Sequence, residues 1–122
     1  MPKKAASSVK AVEAIGRTLP DVEVSTSYGS PALKVRGKMF ACMAINKAAE
    51  PNSLMVRMAF ADRDALIDED PGTYYLKDHY APYPCVLVRL NRVSHDALRD
   101  LLIGAHRFIG AKTLKRTRSP KR

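Results

Sequence analysis

Cationic side chains at alternating positions are the residues of this chain most suited to binding chemistry. Four cations stand at positions that alternate with apolar residues in strand-like segments: Lys34, Arg36, Arg57 and Arg89. A fifth, Lys38, lies close by. Side chains alternate between the two sides of a strand, so these cations are expected to share one face of a sheet. Such a face would bind nucleic-acid phosphates without reading base sequence. The alternative is a solvated face whose charges prevent edge pairing.

The C-terminal segment KTLKRTRSPKR is a second cationic element. The segment contains no acidic residue, and its first four cations are Lys112, Lys115, Arg116 and Arg118. Short basic segments bind nucleic acid, anionic membranes or acidic proteins by counterion release, with little specificity. Pro120 and the lack of apolar residues beyond Leu114 argue against a membrane-bound helix.

A third group combines aromatic and titratable side chains. This possible ligand-binding cluster comprises Tyr28, Tyr75, His79, Tyr80 and Tyr83. His79 beside Asp78 suggests a general base, and the tyrosines suggest a ligand pocket or a surface for stacking bases. Adjacent residues on an extended chain point apart, however, so Asp78 need not orient His79. A packed loop is the better interpretation.

Recognisable catalytic and metal-binding patterns are missing from the sequence. The three histidines have no CxxC or HxxxH companion, and His95 and His106 lie about three helical turns apart. Gly29, Gly37 and Gly72 fit turns rather than a phosphate-binding loop, and no nucleophile elbow occurs. We therefore expect no catalytic residue, no metal, no cofactor and no enzymatic activity.

Length and charge distribution indicate one domain with charged ends. The 122 residues carry a net charge of +9, yet the stretch from Ala5 to Ala111 holds 13 basic and 12 acidic residues. The excess charge thus lies mainly in the terminal segments. Because no apolar pattern continues past Ala111, we expect a single domain over 1–111 and a disordered basic tail over 112–122.

The sequence also predicts the compartment. No apolar run approaches the ~18 residues of a membrane span, and the first residues lack the apolar core of a secretory signal. Cys42 and Cys85 each lie inside an apolar run, which favours buried free thiols in a reducing cytoplasm over a disulfide or metal pair. We expect a cytoplasmic monomer.

Periodicity predicts an α+β fold. Helical spacing of apolar residues indicates helices over 9–19 and 62–69 and from Ser94 onward, with Ser7 or Ser8, Asp62 and Ser94 as N-caps. Alternation indicates strands over 22–28, 32–36, 39–46, 53–60, 73–76 and 84–90, with Phe60 pointing inward. Strands with one apolar face predict an antiparallel sheet covered on one side by two long helices and open on the other.

Two blocks of the sequence carry a resemblance to a known family. GSPALKV followed by GKMFA, and YYLKDHY followed by YPCVLVRL, resemble recurring blocks of the MmcQ/YjbR family of small bacterial proteins. The family commonly has Trp-Gly-His where this chain has Tyr28-Gly29-Ser30, and often an aromatic residue at the position of Leu33. The resemblance implies a two-layer α/β sandwich similar to the frataxin (CyaY-like) fold. It also implies DNA binding, since family members usually carry that label.

Together these observations predict a non-enzymatic DNA-binding protein. It would contact phosphates through the cationic sheet face and the basic tail, with little sequence specificity. The alternative is an interaction module for a protein or small ligand of unknown identity, in which the tyrosines matter more than the charges.

Overall fold

The residues that the structure describes fold into six strands and three helices. The structure is a computed structural model that describes residues 8–27, 30–44 and 49–118, with side chains described except at 26, 27, 30 and 112–118. The elements in chain order are α1 (Val9–Gly16), β1 (Val22–Ser27), β2 (Ser30–Val35), β3 (Lys38–Met43), β4 (Ser53–Arg57), α2 (Phe60–Glu69), β5 (Tyr74–Tyr75), β6 (Cys85–Arg89) and α3 (His95–Arg118). The predicted α+β class is confirmed.

The strands form one antiparallel sheet in the order β1-β2-β3-β4-β6-β5. The β2–β3 hairpin closes through Arg36 and Gly37, whose φ angles are 50° and 81°. Positive φ at both central residues matches the twist of the two strands, and glycine adopts it without steric cost. The predicted tight turn is therefore confirmed.

A β-bulge in the same hairpin was not foreseen. The β2–β3 register shifts between Leu33 and Lys34, so that Leu33 pairs with Ala41 but Lys34 pairs with Met39. Phe40 is the extra residue, and both Phe40 and Ala41 belong to the core on the helix side of the sheet. The bulge thus gives the helices one more large side chain to pack against.

The helices pack against one side of the sheet. α1 contacts β1 and β2, α3 crosses β2, β3 and β4, and α2 lies over β5 and β6. Strand side chains such as Leu33, Val56 and Val88 meet helical side chains such as Leu98 and Leu102 in this helix-side core. Ser8 and Ser94 cap α1 and α3 through hydrogen bonds to the amides of Ala11 and Ala97, as predicted.

Two details of the predicted helices are wrong. α1 ends at Gly16 and is eight residues long, so only α3 is a long helix. α2 begins at Phe60, which the alternation placed inside a strand, and the Phe60 side chain is 46% exposed. Ala59 occupies the N-cap position without a side-chain bond, and Asp62 lies in the first turn. At that position the negative charge of Asp62 stabilises α2 by interacting with the positive end of the helix dipole, and its side chain does not act as the N-cap.

The face of the sheet that was predicted to be open is covered over β4, β5 and β6. A second apolar cluster lies on the side away from the helices and contains Met55, Tyr75, Cys85 and Leu87. Partly buried residues from the neighbouring loops, including Ala49 and Tyr80, pack against it. β4 and β6 are apolar on both sides, so loop residues must cover the side that the helices leave.

The last helix runs beyond Ala111, where the sequence pattern ends. α3 continues to Arg118. The domain boundary at residue 111 and the disordered tail over 112–122 stay predictions. Lys, Arg and Leu favour helix, and extending an existing helix avoids the cost of nucleation. The part of the predicted tail over 119–122 lies outside the described residues.

Two glycines in helices should respond oppositely to alanine. A Cβ at Gly16 would lie 2.6 Å from Cδ2 of the buried Leu33, whereas a Cβ at Gly104 would meet no atom within 4 Å. We expect Gly16→Ala to lower the free energy of unfolding by about 1–2 kcal/mol through overpacking. Gly104→Ala should raise it by about 0.5–1 kcal/mol. Urea unfolding followed by circular dichroism measures both, and equal effects would contradict the close approach of α1 to β2.

Candidate nucleic-acid interface

The predicted cations do not form one continuous face. Lys34 and Arg57 lie on the side of the sheet away from the helices, where Lys34 pairs with Met39 and Arg57 with Cys85. Arg36 lies in the hairpin turn, and Lys38 is the first, exposed residue of β3. Lys112, Lys115, Arg116 and Arg118 lie on the last turns of α3, and their side chains are outside the described set.

Arg89 is held by interactions within the protein. Its Nε and Nη2 donate to Glu50 at 2.8 and 2.7 Å, and Nη1 donates to the carbonyl oxygens of Pro71 and Gly72 at 3.1 and 3.0 Å. The guanidinium also stacks 4.1 Å from the centre of the Tyr75 ring. Hydrogen bonds with Arg89 lower the pKa of Glu50, so the carboxylate stays ionised. These contacts leave Arg89 little capacity for an external phosphate.

Arg57 is half-buried and has no ion-pair or hydrogen-bond partner among the described residues. Its Nε is buried without a hydrogen-bond partner, and the guanidinium is close enough to both Cys42 and Cys85 to oppose the rise in their pKa values. Such a group contributes little to stability, because the cost of removing Nε from water is not offset.

Arg36 faces the C-terminal part of α3. Its Nη2 lies 3.4 Å from the Asp21 carboxylate, and both side chains remain substantially exposed. A Cβ at Gly110 would lie 3.8 Å from Nη1 of Arg36, so the hairpin turn approaches α3 two residues before Lys112, the first of its four C-terminal basic residues. An exposed pair of this kind stabilises by at most about 1 kcal/mol and leaves the guanidinium accessible.

A second contact joins α3 to the segment between α1 and β1. Nε2 of His106 lies 2.7 Å from the carbonyl oxygen of Pro20, which requires the nitrogen to act as the donor. The Arg36–Asp21 pair places the same segment beside the hairpin turn, and the exposed Arg17 lies four residues before Asp21. We define the basic end as Arg17, Arg36 and Lys38 together with Lys112, Lys115, Arg116 and Arg118. Sequence reasoning missed Arg17, which ends α1 with no strand or motif to mark it.

The aromatic cluster divides into packed and exposed members. The Tyr75 hydroxyl accepts from the Glu50 amide at 2.8 Å and also bonds to Ser53, so Tyr75 belongs to the Arg89 network. The Tyr80 carbonyl accepts from Cys85 at 3.9 Å, and the His79 ring meets the Tyr80 ring edge-on at 5.0 Å. Tyr83 is 58% exposed. Tyr28 lies outside the described residues, and the four others line no common cavity among those described.

Both cysteines are free, and their burial makes stability depend on alkaline pH. Burial, followed by the neighbouring Cys85, raises the pKa of the Cys42 thiol to about 11, and Arg57 opposes the shift. The unfolded chain ionises Cys42 near pH ~8.5, so stability that is present in full below that pH is lost as pH rises toward the folded pKa.

Cys42→Ala should therefore flatten the alkaline decline of stability. From about pH 8.5 to about pH 10.5, the native protein should lose about 1 kcal/mol more than the variant, allowing for the partial exposure of Cys42. Urea unfolding at several pH values measures the difference between the two proteins. Parallel pH profiles would show that the Cys42 thiol ionises equally easily in both states.

Across residues 8–27, 30–44 and 49–118, the structure shows no group of three or more His, Cys, Asp or Glu side chains placed to hold a metal ion. Within those same ranges, no helix has both the length and the apolar character needed to cross a membrane.

Across the described residues, the fold is that of an α+β protein with a six-stranded antiparallel sheet and three helices. The YjbR family model matches residues 17–108, and this chain therefore belongs to the YjbR family. A search of curated proteins finds no match.

A solved structure shares the fold. The crystal structure of the Deinococcus radiodurans protein DR2400, which carries the DUF419 family domain, matches with a TM-score of 0.75 and 18% sequence identity. The match covers 96% of this chain and 88% of that chain. At this identity the likeness concerns the fold alone.

Proposed function

We propose that this protein is a non-enzymatic nucleic-acid-binding module that contacts phosphates mainly through the basic end. The observation that carries the proposal is the contact between the hairpin turn and α3. Arg36 lies next to Gly110, so the cations of the hairpin adjoin the helical turns that carry the four basic residues over 112–118. Two cationic elements that are distant in sequence thus meet at one end of the fold.

The charge distribution of the whole molecule supports this orientation. Exposed carboxylates concentrate on α2, at Asp62, Asp64, Asp68 and Glu69. α2 packs over β5 and β6, at the edge of the sheet opposite to β1 and β2. A polyanion is therefore attracted to the basic end and repelled by α2, which orients the protein during encounter.

The basic end replaces the cationic sheet face as the main contact in this proposal. Lys34 and Arg57 remain available for additional phosphate contacts, and Arg89 is assigned to stability because of its bonds to Glu50, Pro71 and Gly72. Contacts made only to phosphates give binding that falls with salt and varies little with base sequence.

The proposal also covers the layer arrangement of the fold, the cellular compartment and the oligomeric state. We propose a two-layer sandwich of the CyaY-like type, because α1, α2 and α3 pack against the same side of one sheet. We also propose a cytoplasmic monomer. Cys42 and Cys85 are free thiols, half-buried and buried respectively, which supports the reducing compartment.

Matched double variants test the position of the interface. A fluorescein-labelled DNA duplex is titrated by fluorescence anisotropy at low salt, with its single strand measured in parallel. Arg36→Gln with Lys38→Gln should weaken binding about tenfold through the loss of two phosphate contacts, whereas Lys34→Gln with Arg57→Gln should weaken it less than about threefold. Both variants remove two positive charges. A larger loss from the second pair would move the interface to the sheet, and no binding by the native chain would reject the proposal.

A further inference from the structure

A groove between α2 and α3 was not foreseen from the sequence. Its volume is about 470 Å³, and Leu66, Leu101 and Phe108 line it from the two helices. Tyr74 of β5 and Met58, the residue after β4, line it from the sheet. Volumes of this size and a mainly apolar lining are typical of sites that bind small molecules.

Small residues create the space in this groove. Ala65 on α2 and Ala97, Gly104 and Ala105 on α3 are all lining residues. A Cβ built at Gly104 would meet no atom within 4 Å, so the α3 wall is open at that position. Larger side chains at these sites would close the groove, because two adjacent helices normally fill the space between them.

The charged lining residues have one sign. Asp62 on α2 and Asp100 on α3 are the charged residues that line the groove, and both are exposed. Neither carboxylate forms an ion pair within the part of the chain that the structure describes. No lysine, arginine or histidine of that part lines the groove. A bound cation would therefore meet carboxylates from both helices.

The phenol of Tyr74 belongs to the sheet side of the groove. Burial, followed by the charges of Asp70 and Glu69, raises the pKa of the Tyr74 phenol. The hydroxyl therefore stays protonated at neutral pH and can bond a polar group of a ligand. The apolar lining, the carboxylates and the phenol together favour an amphiphilic cation over a neutral or anionic molecule.

We propose that this groove binds a small organic cation with an apolar aromatic or alkyl body and one ammonium or guanidinium group. The body occupies the apolar space between Leu66 and Leu101, and the cationic group pairs with Asp62 and Asp100 at the groove opening. Arg17, Arg36 and Lys38 of the basic end do not line the groove, so this proposal does not rest on the nucleic-acid proposal and is tested without nucleic acid.

Three probes of nearly equal shape test the charge requirement. 4-Phenylbutylamine, 4-phenylbutan-1-ol and 4-phenylbutanoate are titrated into the isotopically labelled full chain and followed by backbone amide shifts. The amine should shift amides of α2 and α3 and bind at least about tenfold more tightly than the alcohol, with the carboxylate weakest. Equal binding of amine and alcohol would overturn the proposal, and so would amine-induced shifts confined to other elements.

Matched variants test the location of the site. Asp62→Asn with Asp100→Asn should weaken amine binding about tenfold, whereas Asp68→Asn with Asp78→Asn removes the same charge outside the groove and should change it less than about twofold. Gly104→Leu should abolish binding by filling the groove. Equal effects of the two charge pairs would overturn the proposal. Shifts in α2 and α3 that depend on protein concentration alone would identify the groove as an interface between copies, and would also overturn it.

Discussion

Replacing Arg89 with methionine should lower the free energy of unfolding by about 2–4 kcal/mol. Methionine preserves an apolar side chain against Tyr75 but loses both bonds to Glu50 and both bonds to the carbonyls of Pro71 and Gly72. The carbonyl oxygens lose charge-assisted donors, and the Tyr75 ring loses its stacked cation. Urea unfolding followed by circular dichroism measures the loss.

Arg57→Met is the matched control for this prediction. It makes the same chemical change at a half-buried arginine whose Nε has no partner, so the free energy of unfolding should stay constant or rise by about 1 kcal/mol. Arg57→Met could instead destabilise the protein as much as Arg89→Met. That result would contradict the conclusion that Arg89 stabilises the fold through its hydrogen bonds and that Arg57 does not.

Phe40→Ala should have the largest effect on stability, a loss of about 3–5 kcal/mol. Phe40 is fully buried at the bulge of β3, and its ring meets the His106 ring edge-on at a centroid distance of 5.6 Å. Removing the ring leaves a cavity under α3 and frees His106, which binds the Pro20 carbonyl. The variant should therefore loosen the attachment of α3 to the basic end as well.

Phe60→Ala provides the comparison at an exposed site. Phe60 is 46% exposed and contacts the Arg63 guanidinium at 4.7 Å from the ring centre, so its replacement should cost about 1 kcal/mol or less. Thermal and urea unfolding of both variants test the contrast. Similar losses at Phe40 and Phe60 would contradict the assignment of Phe40 to the helix-side core.

Local patterns predicted much of the fold. Alternation identified all six strands to within a few residues, the Arg36-Gly37 turn followed from its turn residues, and Ser94 was recognised as a cap. These features depend on residues close in sequence, and their physical causes are visible in short windows. Phe60 was misplaced because its apolar character continued the alternation of β4 into the first turn of α2.

The candidate site depended on contacts that no short window contains. Arg89 and Glu50 are 39 residues apart in sequence, so the alternation of residues in β6 could not reveal that Glu50 pairs with the Arg89 guanidinium. Loop residues such as Tyr80 pack on the side of the sheet away from the helices, and their position is not visible in the strand sequences. The groove exists because of the spacing between α2 and α3. Periodicity and the family resemblance both predicted the fold class, but the basic end appeared only when the structure placed Arg36 beside Gly110.

The salt dependence of DNA binding tests the basic end most directly. Anisotropy titrations over a range of salt compare the native chain with a full-length variant in which Lys112, Lys115, Arg116 and Arg118 are glutamine, a substitution that preserves helix propensity. The native chain should lose affinity steeply with salt, and the slope should become shallower by about 0.9 for each phosphate contact removed. Native binding that is insensitive to salt, or a variant with an unchanged slope, would contradict the proposal.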